Sequence, residues 1–145
     1  TLSSSSAASD VYKRQYDDVP EKILEMRKSL EASEKIIIFS PVYNGGFLAH
    51  LKNALDWLSL AYDENRYSAL FKEKKVAVVT TVKGAGSNAK KAFEILSMQL
   101  SNYDLQVFEK FHLITKSEHQ NEKSILNNQD VIESLNSYAE EFLDL

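Results

Sequence analysis

The chain has no cysteine among its 145 residues. That excludes disulfides, zinc–thiolate sites and thiol redox chemistry, so any electron transfer would need a borrowed cofactor. No run approaches the roughly 20 apolar residues a membrane-spanning helix requires, and the cytoplasm is the expected compartment. A basic excess is missing too: 17 Lys+Arg stand against 21 Asp+Glu, a net charge of −4. Without a basic stripe to neutralise phosphates, no nucleic-acid polymer is expected as a partner. The three histidines, His50, His112 and His119, lack metal-ligand spacing, so no metal site is expected. His50 reads as a surface or interface residue rather than a proton donor. What remains is an ordinary globular composition, 43% apolar and 26% charged, at a length suited to one domain with a single core.

Residues 1–15, TLSSSSAASDVYKRQ, are Ser/Ala-rich, lack periodicity and end in a short basic patch. A signal peptide would place its charge first and an apolar core after it. The segment reads as a non-native scar or a disordered tail, and the domain proper as residues 16–145.

From Tyr16 onward helix and strand patterns alternate. Val19, Ile23, Met26 and Leu30 form one apolar stripe, with Pro20 in the first turn and Asp18 as a cap. Ile36–Ser40 is a continuous apolar run, which predicts a strand buried on both faces. Leu48, Leu51, Leu55 and Leu58 define a second helix, followed by a polar connection from Tyr62 to Lys75. Its run Lys72, Glu73, Lys74, Lys75 reads as a solvated edge. Val76–Thr81 is a second buried strand. Ala89, Ala92, Phe93, Leu96 and Leu100 mark a third helix. Leu105–Phe108 and Phe111–Ile114 predict a broken or bulged strand, and Val131, Leu135, Tyr138 and Phe142 a final helix. The alternation predicts an α/β fold with a doubly wound parallel sheet.

The most informative stretch is SPVYNGGFLAHLKNALDW, residues 40–57. A buried strand ending in a Pro-x-Tyr-Asn-Gly turn that opens a helix is how such a sheet presents a ligand loop at its carboxyl edge. Gly45 and Gly46 would let backbone approach a ligand closely; an ordinary strand-to-helix turn is the competing explanation. The stretch closely resembles the flavin-contacting segment of the NADPH-dependent FMN reductase family, P-E-Y-N-G-x-x-P-x-x-L-K-N-A-L-D-W. Pro41, Tyr43, Asn44, Gly45, Leu51, Lys52, Asn53, Ala54, Leu55, Asp56 and Trp57 match, while Val42 stands for the usual Glu and Leu48 for the usual Pro.

The resemblance implies a flavodoxin-like sheet of order 2-1-3-4-5, with Ile36–Ser40 as strand 3, Val76–Thr81 as strand 4 and residues 105–114 as strand 5. Strands 1 and 2 have no counterpart, so the domain is expected to be truncated at its amino end. It further implies FMN and NADPH as cofactors. Pro41, Val42, Tyr43, Asn44, Gly45 and Gly46 would position the flavin ring, with Lys83, Gly84, Ala85 and Gly86 covering its pyrimidine end. In the loop Val82–Ala89 the family has S-x-G-x-x-G-G, whereas Asn88 and Ala89 replace its glycine pair. Asn88 is expected to cap the next helix, and a plain connection is the alternative. The family's phosphate loop, roughly G-S-x-R-x-x-S-x-N, has no match here. Losing two charge-assisted hydrogen bonds would weaken FMN binding by about two to four powers of ten.

The implied activity is hydride transfer from a nicotinamide to FMN and on to a quinone, azo or similar acceptor, with no protein residue cast as catalytic. Homo-oligomerisation through the Leu51–Trp57 helix is also implied; Trp57, Tyr62 and Tyr67 suit either that interface or the core. The alternative is a cofactor-free, truncated flavodoxin-like fragment that self-associates through an exposed sheet edge.

Overall fold

A computed structural model describes residues 19–62, 65–82, 86–115 and 128–145. In chain order the described residues form α1 (Glu21–Glu31), β1 (Lys35–Pro41), α2 (Ala49–Ser59), β2 (Lys75–Val82), α3 (Ala89–Ser101), β3 (Gln106–Thr115) and α4 (Gln129–Leu143). The strands make one parallel sheet of order β1-β2-β3. Each pair of neighbours is joined through a helix, as parallel pairing requires. This is the parallel α/β arrangement expected from the alternation, and it fits the flavodoxin-like fold that the resemblance implied.

β2 is the central strand, and its run VAVVT is buried from Val76 to Thr80. Alternation along the pleat divides its side chains between two cores. Val76 and Val78 pack with Leu55 and Leu58 of α2, Leu96 and Leu100 of α3, and Ile23 of α1. Ala77 and Val79 turn to the other face, against Phe108 and against Tyr138 and Phe142 of α4. Helices therefore cover both faces, and burial of each large apolar side chain contributes about 1.5–3 kcal/mol.

Four sequence expectations are corrected. β1 is not buried on both faces: Ile36, Ile37 and Ile38 are only half-buried, and Phe39 is 63% exposed. It pairs with β2 alone among the described residues, and an apolar run does not distinguish a central strand from an edge. The connection after Tyr62 is not simply polar, because Leu70 and Phe71 sit in the core. Pro20 precedes α1 instead of lying in its first turn, and its carbonyl accepts from Ile23 and Leu24; Asp18 lies outside the described residues. The lysine run is only partly solvated, since the Lys74 ammonium donates to the Ser33 carbonyl and Lys75 Nζ to that of Leu145 (2.6 Å). With Lys35, which donates to Leu143 O, Lys75 holds the carboxyl end of α4 against the starts of β1 and β2. Cations there also complement the helix dipole.

The bulge is where the sequence placed it. Val76 pairs with Val107 but Val78 with Phe111, so β3 carries extra residues opposite Ala77. Residues 1–15 lie outside the described residues.

Candidate functional site

Parallel strands bring their carboxyl ends to one edge, where Pro41 lies beside Thr81, and Val82 beside Thr115. Sheets of this kind bind ligands at that edge. Short polar side chains fix it: Thr80 Oγ1 donates to Ser40 O (2.8 Å), and buried Ser40 accepts at Oγ from the Leu48 amide (3.4 Å). Val42 N–H donates to Thr81 O (2.8 Å), carrying the pairing one residue past β1.

The chain then turns sharply. Tyr43 N–H donates to Gly46 O (2.9 Å) and Gly46 N–H returns to Tyr43 O (3.0 Å). Asn44 and Gly45 sit at φ +52° and +77°, the pattern of a type I′ turn, for which Asn-Gly is a favoured pair. No heavy atom lies within 4 Å of the place a Gly45 Cβ would occupy, so open space borders the turn there. The Tyr43 ring is 63% exposed beside it.

The second wall comes from the β2–α3 connection. Val42, Tyr43, Asn44 and Gly45 face Val82, Gly86, Ser87 and Asn88 across a cleft of about 310 Å³. Gly86 has φ +75°, and a Cβ there would lie 2.9 Å from Leu113 Cδ2. The positive φ favours glycine at this position independently of any ligand, and an added Cβ would also push the Leu113 side chain aside. Asn88 does not cap α3 as expected: it holds helical φ and ψ (−94°, −4°), and its side chain makes no cap hydrogen bond. Leu48 likewise leaves α2 without a side-chain cap. Two helix amino ends thus begin at the loops of this cleft with amides not taken by capping side chains. Each favours partial negative charge by about 0.3–1 kcal/mol.

No Asp, Glu, Lys, Arg or His lines the cleft among the described residues. Its chemistry is that of backbone amides, the Ser87 hydroxyl, the carboxamides of Asn44 and Asn88 and the exposed Tyr43 ring. Such a lining fits a flat heteroaromatic ring with acceptor edges. Of the residues read from the sequence, Val42, Tyr43, Asn44, Gly45 and Gly86 line the cleft. Pro41 ends β1, and Gly46 closes the turn. Lys83, Gly84 and Ala85 lie outside the described residues. Sequence reasoning missed Ser87 and the Ser40–Thr80 lock; two small hydroxyl residues at adjacent strand ends were its only trace.

Away from the cleft, α2 carries a second polar constellation. Asp56 accepts from Lys52 Nζ (2.6 Å) and from the Tyr103 hydroxyl (2.6 Å). Burial pushes the Asp56 carboxyl up, but hydrogen bonds from Lys52 and Tyr103 outweigh it and hold the group below its usual range. Burial, followed by the bond to Asp56, pushes the Tyr103 hydroxyl up. Trp57 and Tyr62 pack against the core, Arg27 lies 4.0 Å over the Tyr62 ring, and Tyr67 is exposed. His50 is exposed in the first turn of α2. No helix among the described residues is long and apolar enough to cross a membrane.

Comparison with known proteins agrees with this fold. FerB, a flavoenzyme NAD(P)H:(acceptor) oxidoreductase from Paracoccus denitrificans, superposes with a TM-score of 0.69 at 22% identity, over 90% of this chain and 70% of its own. General stress protein 14 from Treponema denticola, solved in complex with FMN, gives 0.58 at 16% identity, over 92% and 76%. These likenesses establish the fold. FMN-dependent NADH:quinone oxidoreductase 6 of Burkholderia lata is 43% identical over 56 residues, 35% of this chain. The chain spans only 28% of that relative's length. The family model for NADPH-dependent FMN reductase matches residues 5–119, well over half of the chain. The protein therefore belongs to the NADPH-dependent FMN reductase family.

Proposed function

We propose that this protein is an NAD(P)H-dependent flavin oxidoreductase whose β1–α2 and β2–α3 loops hold the ring of FMN. The observation that carries the reading is the convergence of both loops, with the uncapped start of α3, on one cleft without a charged side chain among its described lining residues. FMN, when bound, supplies the hydride-accepting centre between a nicotinamide, NADPH by the family's preference, and a quinone, azo or similar acceptor. Tyr43 and Val42 offer packing surface to the ring. Backbone amides of the turn and of the α3 amino end offer donors to its acceptor edges, where negative charge is best tolerated. Lys83, Gly84 and Ala85 complete the same wall in this proposal. No side chain of the cleft is required to move a proton. The protein works in the cytoplasm as a homo-oligomer, with the outer side of the Leu51–Trp57 helix as a contact face.

Titration with FMN and, in parallel, riboflavin, followed by flavin fluorescence, tests the reading. Saturable binding of either flavin supports the ring cleft. A large preference for FMN adds a phosphate site outside the described residues, and equal binding indicates a ring-only site. Failure of both to bind at high micromolar concentration overturns it.

A further inference from the structure

The floor of the cleft is aliphatic, and the pleat of the sheet explains why. Ile36 and Ile38 of β1 and Val76 and Val78 of β2 face the core beneath α2 and α3. Alternation carries that face onward to Ser40 and Val42 and to Thr80 and Val82. The bond from Val42 N–H to Thr81 O keeps Val42 in register past the end of β1. Val42 and Val82 therefore stand at neighbouring strand ends, and both line the cleft. Val42, half-buried, also borders an inner void of about 10 Å³ between the sheet and α3, lined by Phe47, Phe93 and Leu96. Ser40 and Thr80 line the same void, with hydroxyls already bonded to the Leu48 amide and the Ser40 carbonyl. One side of Val42 thus meets ligand space and the other meets the core.

We propose that Val42 shifts the balance between the two redox states of bound flavin toward the reduced one. The inference rests on the flavin reading above and adds what this residue does there. Hydride from a nicotinamide carries two electrons and one proton, so a neutral oxidised ring becomes a reduced ring with one negative charge. A fixed charge nearby acts on that anion in inverse proportion to distance, and more strongly where water is excluded. Valine contributes no such charge. The amino end of α3, without a side-chain cap, favours the anion. Lys83, which the proposed function adds to the same wall, has the sign that works in the same direction.

The glutamate that the family motif carries in place of Val42 would act in the opposite sense. Its carboxylate would face the same ring from the strand end and oppose the added electrons. The cleft is only about 310 Å³, so any ring inside it lies close to Val42. The sign of the effect therefore does not depend on which edge of the ring points inward.

Potentiometric titration of FMN with the full chain, reduced by dithionite at about pH 8, reads the balance; a half-exposed carboxylate is ionised there. The wild type is expected to hold reduced FMN at least as tightly as oxidised FMN, with a midpoint at or above that of free FMN. Val42→Glu should weaken reduced FMN about tenfold more than oxidised FMN, a fall of about 30 mV for a two-electron couple. Val42→Gln, matched in size but uncharged, should keep the wild-type ratio of the two affinities, even where both fall. A wild-type midpoint well below that of free FMN overturns the proposal without any variant. Equal ratios in the Glu and Gln variants overturn it too, and in both cases flavin binding leaves the cleft itself standing. Binding of neither redox state by the wild type removes the flavin reading, and this inference with it.

Discussion

The hydroxyl of Tyr138 bridges β2 and β3 where the sheet register slips. It accepts from Val78 N–H (3.1 Å) and lies within donating distance of Val78 O (3.0 Å) and Lys110 O (3.1 Å). Val78 pairs with Phe111 immediately past the bulge, so a side chain from α4 ties the two strands together at the irregularity. Burial pushes the Tyr138 hydroxyl up, consistent with a group held as a neutral donor.

Tyr138→Phe should therefore cost about 1–3 kcal/mol, because it keeps the ring against Phe108 but removes the buried hydroxyl's bonds to the backbone of Val78 and Lys110. Urea unfolding checks this. Flavin titration should be unaffected, since Tyr138 does not line the cleft. An unchanged urea midpoint would show that the hydroxyl is dispensable to the bulge.

Gly45 and Gly86 share positive φ but not surroundings. Gly45→Ala should cost only the conformational penalty, about 1–2 kcal/mol, into open space. Gly86→Ala should cost more, because the new Cβ also displaces the Leu113 side chain. Thermal denaturation of the two variants ranks them; the reverse order would contradict the geometry.

Tyr43→Ala should leave stability within about 0.5 kcal/mol of the wild type, as expected for an exposed residue. Flavin affinity should fall about three- to tenfold, the loss of one aromatic contact. Fluorescence titration and urea midpoints, measured on the same samples, separate the two effects.

Stability should peak from near neutrality to about pH 10. Burial holds His112 below its usual value, so the folded state prefers neutral imidazole. That contribution is full above about pH 6.5 and is lost as pH falls through the lower folded value. Asp56, also held low, contributes above about pH 4 and loses its share at still lower pH. Tyr103 and Tyr138, both raised, contribute fully below about pH 10 and lose it above. Urea midpoints across this range report the profile; a midpoint that rises above pH 10 would rule out the tyrosine arrangement.

What could be read from the chain was whatever depends on near neighbours. The stripe Ala89, Ala92, Leu96, Leu100 is buried in α3 as its spacing implied, and Val131, Tyr138 and Phe142 do the same for α4. Tyr-Asn-Gly-Gly announced its turn because the required φ values are local to those residue types. The exposure of Phe39 depends on which strand lies beside β1, which an apolar run does not encode. Asn88 failed as a cap because its backbone already joins the helix, leaving its side chain misdirected. Gly86 sits at positive φ with the Leu113 side chain close by, a neighbour on another strand that local pattern does not reveal. Leu70 and Phe71 were hidden in a segment whose neighbours are mostly charged.

The paired hydrogen bonds between Tyr43 and Gly46 bear on how fast a ligand is caught. A loop already fixed by its own amides has surrendered its conformational entropy during folding, so little remains to be lost on binding. Association at this cleft should proceed without a slow ordering phase, and changes in affinity between related ligands should appear almost wholly in their rates of departure.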